Sequence, residues 1–346
     1  MKKLLLVGSD SIHIYNYAQL IAGYFDDILL ITNKKRIDSN LPTMEVDFSL
    51  RNPLNYIFTV RRIKNIIREY DPTLIHIHQA NSCSYYTLKA AGNCKAPKVV
   101  TAWGSDILIS PNVSSFLKGI VKYNLKNASA LTSDSSFMAD EMRKLIPEKK
   151  LDITIANFGI TKEITELPKE NIIFSNRLHK KLYRIEKIIH AFKKFMDAGN
   201  ASWELIIAGT GEETNALKSL AVQLRIAEKV RFVGWLDEKQ NGAFYSKAKM
   251  FVSVPESDAT SVSLLEAMAN GCLPVLSDIP ANREWIRNGR NGMLVKNIDG
   301  DFLSDALNIC SDDVIRENKK IIAEKGTKEV NRKIFLELYD HLLKRQ

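Results

Sequence analysis

Asp258 and Glu266, with seven residues between them, stand on either side of Thr260 and Ser261, two residue types that readily open a helix. The spacing predicts a helix over Ser261–Ala269, whose first free N–H groups, those of Ser261, Val262, Ser263 and Leu264, point together at whatever sits in front of them. A phosphate is the natural occupant of such a helix mouth. Asp258 falls on the loop just outside it and Glu266 about one and a half turns inside, so the two acids would flank a diphosphate. A sugar would meet Asp258 and a ribose Glu266. Glu256 competes with Asp258 for the first role.

The elements that must position these groups are legible around them. Met250–Val254 reads as a short buried strand and Pro255–Thr260 as a polar loop, with Asn270 and Gly271 closing the helix. Val262, Leu265, Met268 and Ala269 form one apolar stripe, and Glu266 lies about 40° beyond its edge. Earlier in the chain, strands are expected at Leu4–Val7, Asp27–Ile31, Thr73–His76, Val99–Thr101, Leu131–Ser136 and Ile153–Gly159, with a helix at Tyr15–Tyr24. After a charged linker, Lys162–Glu170, the alternation restarts at Ile172. It continues through Trp203–Ala208, the turn Gly209-Thr210-Gly211 and Val230–Trp235. Such alternation predicts an α/β protein of doubly wound parallel sheets, whose ligands bind at the carboxyl ends of the strands.

Three loops of the first half therefore matter. Gly8 and Ser9 follow the first strand without a GxGxxG pattern, which weighs against a dinucleotide site. His76 and His78 alternate at a strand end and are expected to point to opposite faces. The third loop is Ala102-Trp103-Gly104-Ser105-Asp106.

At 346 residues the chain accommodates two domains of ordinary size, and 45% hydrophobic with 26% charged residues is a globular composition. The opening MKKLLLVGSD carries too short an apolar run for a signal peptide and reads as a first strand. No segment approaches the roughly twenty apolar residues that would cross a bilayer. Cys83, Cys94, Cys272 and Cys310 form neither a metal spacing nor a disulfide frame, which suggests a reducing, cytoplasmic setting. A net charge of +9 favours anionic partners. No aromatic and basic motif supports nucleic acid. An anionic membrane surface is the other candidate, because Arg61, Arg62, Lys64 and Arg68 share a stretch in which Ile57, Val60, Ile63, Ile66 and Ile67 recur at helical spacing. A solvated face of an ordinary helix is the simpler account of that stretch.

The stretch MFVSVPESDATSVSLLEAMANG resembles the donor-binding signature of the retaining GT-B glycosyltransferases of family four, the group 1 glycosyl transferases: two acids and an Ala-Met-Ala-x-Gly helix end. Most members carry Glu where this chain has Asp258, and Gly-Phe-Gly where it has Ala259, Thr260 and Ser261. IIFSNRLHKKLYRIEKIIHAF is similar to the family's strand, Arg-Leu and helix, with Arg177 at the arginine position and Tyr183 where a lysine is usual. Lys180, Lys181 or Arg184 then supplies the second cation, with Lys181 preferred. Trp103 stands at the family's histidine position, so no histidine role carries over, while Gly104 and Asp106 remain candidates near the transferred sugar.

The resemblance implies two Rossmann-like doubly wound domains facing a central cleft. Residues 1–165 would form the acceptor domain and 166–330 the nucleotide-sugar domain, with 331–346 a helix crossing back to the first. It implies catalytic roles for Asp258, Arg177, Lys181 and Asp106. Donor contacts would come from Glu266, Thr260, Ser261, Val262, Ser263, Leu264, Gly8, Ser9, Gly209, Gly211 and Trp235. The implied activity moves a hexose from a UDP- or GDP-sugar to a glycan or polyprenyl-diphosphate-linked acceptor of a bacterial surface polysaccharide. It would proceed with retention and with neither metal nor cofactor, in the cytoplasm or at the inner membrane face. A GT-B-fold UDP-sugar epimerase and a non-catalytic partner subunit are the alternatives.

Overall fold

Short aliphatic runs buried on both faces make the strands: Leu4, Leu5, Leu6 and Val7 are fully buried, as are Met250, Phe251 and Val252. Strands so enclosed belong in parallel sheets covered by helices on each side. The computed structural model describes residues 1–36, 39–50, 52–161 and 167–344. It divides into two units, Met1–Phe158 with Lys328–Gln346, and Gly159–Thr327.

The first unit holds β1 (Lys3–Val7), β2 (Asp27–Thr32), β3 (Thr43–Glu45), β4 (Leu74–His78), β5 (Lys98–Thr101), β6 (Ala130–Ser133) and β7 (Ile153–Ile155), in the order 3-2-1-4-5-6-7. The second holds β8 (Glu170–Ser175), β9 (Glu204–Ala208), β10 (Val230–Gly234), β11 (Ala248–Ser253), β12 (Leu273–Ser277) and β13 (Met293–Val295), in the order 10-9-8-11-12-13. Every strand pairing among the described residues is parallel. In each sheet the order reverses once, between β1 and β4 and between β8 and β11, and crevices at such switch points bind ligands.

The expected boundary at 165/166 lies outside the described residues. The second falls at 327/328 rather than 330/331, where Ile160 and Thr327 form a parallel bridge. The terminal helix, Lys328–Leu343, packs in the first unit. Its Tyr339 hydroxyl bonds His76 Nδ1 at 2.6 Å and also meets the Tyr17 hydroxyl, while His76 Nε2 bonds Thr101 Oγ1 at 2.6 Å. Phe335 and Tyr339 are fully buried there.

Several local readings change. The first helix spans Ile12–Leu20 rather than Tyr15–Tyr24, because Ser11 caps it by accepting from the His13 N–H. β3 is a strand the sequence pattern did not reveal; it is short and largely exposed, so it lacks a hydrophobic signature. His76 and His78 do not face opposite ways: their rings stack with centroids 4.7 Å apart. Residues two apart on a strand share a face. In the helix Pro53–Tyr70, Ile63, Ile66 and Ile67 join the core as expected, whereas Ile57 is exposed beside Leu54 and Phe58.

Candidate active site

The switch point of the second sheet brings together Arg177 and Asp258 of the charged residues singled out from sequence. β8 ends at Ser175, and two residues on Arg177 turns its guanidinium to the loop after β11. Nη2 donates to Asp258 Oδ2 at 2.7 Å, and Nη1 donates to the Ser261 hydroxyl. Both charged side chains are largely buried. Burial pushes the Asp258 carboxyl above the usual carboxylate range, and the Arg177 charge offsets this only in part. Glu256 is exposed, and its N–H donates to the Leu182 carbonyl at 2.9 Å, so Asp258 is the acid of this cradle.

Ser261 is the N-cap of the helix Val262–Ala269, yet its side chain makes no capping bond. Its hydroxyl serves Arg177 instead, leaving the Val262 and Ser263 N–H groups uncapped by it. The Leu264 N–H is already taken by the Ser261 carbonyl at 3.1 Å, which narrows the expected amide set. Thr260 accepts from the Trp285 indole at 3.4 Å. Glu266 is half-buried on the same helix, near the buried Tyr245 hydroxyl. That hydroxyl accepts from Asn176 Nδ2 at 2.8 Å, and it is pushed far up first by burial and then by the Glu266 charge.

The three candidate cations after β8, Lys180, Lys181 and Arg184, differ in their surroundings. Arg184 donates from Nε to the Val254 carbonyl at 2.7 Å and from Nη2 to the Pro255 carbonyl at 2.9 Å, so it fastens the loop after β11. Lys181 opens the short turn Lys181–Tyr183 and is exposed, as is Lys180. Tyr183, at the position of the family's lysine, lies under Arg177 with the guanidinium 4.5 Å from its ring centroid. A cation held over a ring face keeps its charge and loses rotational freedom.

The glycine turn completes the cradle. Gly209 has φ +100°, and a Cβ there would stand 2.4 Å from the Arg177 carbonyl oxygen. A Cβ at Gly211 would stand 2.4 Å from the His179 carbonyl oxygen. The loop carrying Arg177 can therefore pack on this turn only because both side chains are absent. His179, missed from sequence, is buried against the turn with Nδ1 bonding Thr214 Oγ1 at 2.8 Å. Trp235 follows β10 and is 72% exposed.

Gly8, Ser9 and Asp106 belong to the other unit. A Cβ at Gly8 would stand 2.6 Å from Ile14 Cδ1, so glycine lets the first helix approach β1. Ser9 donates to Gln79 Oε1 at 2.8 Å. Asp106 is buried and accepts the Ala80 N–H at 2.6 Å and the Trp103 N–H at 3.0 Å, tying the loop after β4 to the loop after β5. Burial raises its pKa from the ordinary value.

Two parallel sheets of this order are the architecture of the GT-B glycosyltransferases. HepE of Anabaena, solved in complex with UDP, superimposes with a TM-score of 0.82 at 14% identity, covering 99% of this chain and all of that one. Residues 160–329 match the family described as Glycosyl transferases group 1, and residues 2–135 match Glycosyl transferase 4-like. The chain belongs to the group 1 glycosyl transferases. It is 24% identical to the N-acetyl-alpha-D-glucosaminyl L-malate synthase of Bacillus anthracis over 71% of its length and 67% of that protein's. It is 28% identical to the phosphatidyl-myo-inositol mannosyltransferase of Mycolicibacterium smegmatis over 75% and 67%.

Proposed function

We propose that the protein transfers a hexose from UDP- or GDP-hexose to a glycan or lipid-linked acceptor of a bacterial surface polysaccharide, with retention of configuration. The observation that carries this reading is the junction of Arg177, Asp258 and Ser261 at the uncapped start of a helix, on the switch point of a parallel sheet. A diphosphate would face the guanidinium and the Val262 and Ser263 amides, with Asp258 toward the sugar and Glu266 toward the ribose. Lys181 supplies a further cation to the leaving group, and Trp235 offers its exposed ring to the base.

In this reading the bond between the sugar's anomeric carbon and the diphosphate oxygen breaks while the acceptor oxygen bonds the same carbon on the same face. The acceptor's proton passes to a diphosphate oxygen. No enzyme nucleophile or metal takes part, and the protein contributes placement and charge stabilisation. Asp106 acts through the Ala80 and Trp103 amides it holds, keeping the loop after β5 in place.

The acceptor would be met at an anionic membrane face on the cytoplasmic side. Supporting this, Leu54 and Phe58 are 62% and 67% exposed on the helix that carries Arg61, Arg62, Lys64 and Arg68. Phe116 is 63% exposed on Ser115–Asn127, which carries Lys118, Lys122 and Lys126. Exposed apolar side chains beside cations are what a headgroup layer binds.

The test is a thermal-shift screen of UDP- and GDP-hexoses followed by product analysis. At about a hundred times its dissociation constant the correct donor stabilises by about 2.7 kcal/mol. Absence of any nucleotide effect would remove the reading. Epimer formation without transfer would replace it with an epimerase.

A further inference from the structure

The carboxyl edge of the first sheet carries a group of rings that the diphosphate cradle leaves unused. His78 ends β4 and is fully buried. Its Nδ1 accepts the Trp103 indole N–H at 3.1 Å. A ring nitrogen that accepts carries no proton, so the neutral imidazole bears its hydrogen on Nε2. Burial pushes the histidine down to about 3, which keeps it neutral. Nε2 has no hydrogen-bond partner among the described residues, a buried donor of the kind that calls for an explanation.

Around it, His13 meets Trp103 edge-on with centroids 5.4 Å apart and stacks on Phe158 at 5.8 Å with planes 10° apart. Phe158 in turn stacks against His78 at 6.1 Å. Trp103 and Phe158 are half-buried and His13 is exposed, so a solute reaches ring surface here. Although His13 as a residue is exposed, its ring packs on Trp103 and Phe158 and is desolvated there, which lowers its pKa and favours the uncharged form. A phosphate or carboxylate would find no cation among these rings. A pyranose suits them, because one side of the ring is C–H surface that lies against aromatics while its rim is hydroxyl.

We propose that Trp103, Phe158 and His13 form a stacking subsite for a neutral pyranose ring of the acceptor, and that His78 is the positioning residue that fixes the Trp103 indole. The inference rests on the transferase reading and adds the acceptor's chemical class. Only an acceptor atom at the His78 Nδ1 position holds the indole N–H, so Asn, whose Oδ1 stands as many bonds from Cβ as Nδ1 does, should replace His78 and Phe should not.

The experiment follows the nitrogen-labelled Trp103 indole resonance of the full chain, assigned with Trp103→Phe, while methyl α-glucopyranoside, methyl α-galactopyranoside, methyl α-mannopyranoside and methyl glucuronide are titrated. At least one neutral glycoside should shift it and the glucuronide should not. In transfer assays His78→Phe should raise the acceptor KM about tenfold with donor KM unchanged, and His78→Asn should restore it. Stabilisation by UDP or GDP is measured alongside. If neither nucleotide stabilises, the transferase reading fails. If one does while no neutral glycoside moves the resonance, or the glucuronide moves it most, the stacking subsite alone falls. An equal rise in both KM values would overturn the role given to His78.

Discussion

Removing Arg177 should cost more than removing its partner. At 2.7 Å the gross attraction between Arg177 and Asp258 is about 6 kcal/mol at an effective dielectric constant of about 20. Burial nonetheless leaves the Asp258 carboxyl harder to ionise than a free one, so desolvation outweighs the pairing. Arg177→Met strands a buried carboxylate, and we expect a loss of about 3 kcal/mol near pH 8. Asp258→Asn leaves the guanidinium its Ser261 bond and the Tyr183 ring, for a loss of about 1 kcal/mol. The sign with pH follows from the raised carboxyl: the folded state binds the proton more tightly than the unfolded one. That contribution is therefore favourable at low pH and lost as pH rises through the folded value. Without Arg177 the gap widens, so the Arg177→Met penalty should shrink toward about pH 5. Urea unfolding of both variants at the two pH values reads this directly. A larger loss for Asp258→Asn, or an Arg177→Met penalty independent of pH, would refute the reasoning. Affinity for whichever of UDP and GDP stabilises the protein should also fall by about 2 kcal/mol in Arg177→Met, roughly 30-fold by calorimetry, through the lost charge-assisted bond.

Other outcomes can be checked in parallel. His78 is depressed to about 3 from 6.5, so its contribution is complete above the unfolded value and lost as pH falls below it. Between pH 6.5 and about pH 5 this amounts to about 2 kcal/mol, and His78→Gln should flatten that part of the melting-temperature profile. Gly209→Ala combines left-handed backbone with a Cβ driven onto the Arg177 carbonyl, and should lower stability by about 2 kcal/mol or more while weakening nucleotide binding. Trp235→Ala should leave the melting temperature unchanged and weaken nucleotide binding about fivefold, the value of one stacked ring. Tyr339→Phe leaves the Tyr17 hydroxyl and His76 Nδ1 their 3.0 Å bond to each other, so it should cost about 1 kcal/mol, the worth of the bonds lost, and should speed proteolysis of the terminal helix.

Much of this was legible in the chain. Alternating aliphatic strands and amphipathic helices determine the two parallel sheets, because burial on both faces leaves a continuous apolar run that nothing else satisfies. The shared face of His76 and His78 was equally legible, since it follows from the two-residue period of a strand, and the expectation of opposite faces misapplied that rule. The helix start between Asp258 and Glu266 was likewise legible from Thr260 and Ser261, and the helix runs over Val262–Ala269.

What sequence left open were choices between chemically equivalent neighbours. Lys180, Lys181 and Arg184 are all cations within five residues; only the folded chain shows that Arg184 is occupied by the Val254 and Pro255 carbonyls, some seventy residues away. Ser261 reads as a capping serine until Arg177, eighty-four residues earlier, claims its hydroxyl. Tyr183 supports that arginine through a ring face that no spacing announces. Local pattern reports what a residue can do within a turn or a strand. Which of those capacities is used depends on partners brought alongside by distant segments, and a hydrogen bond or stacked ring exists only once both have arrived.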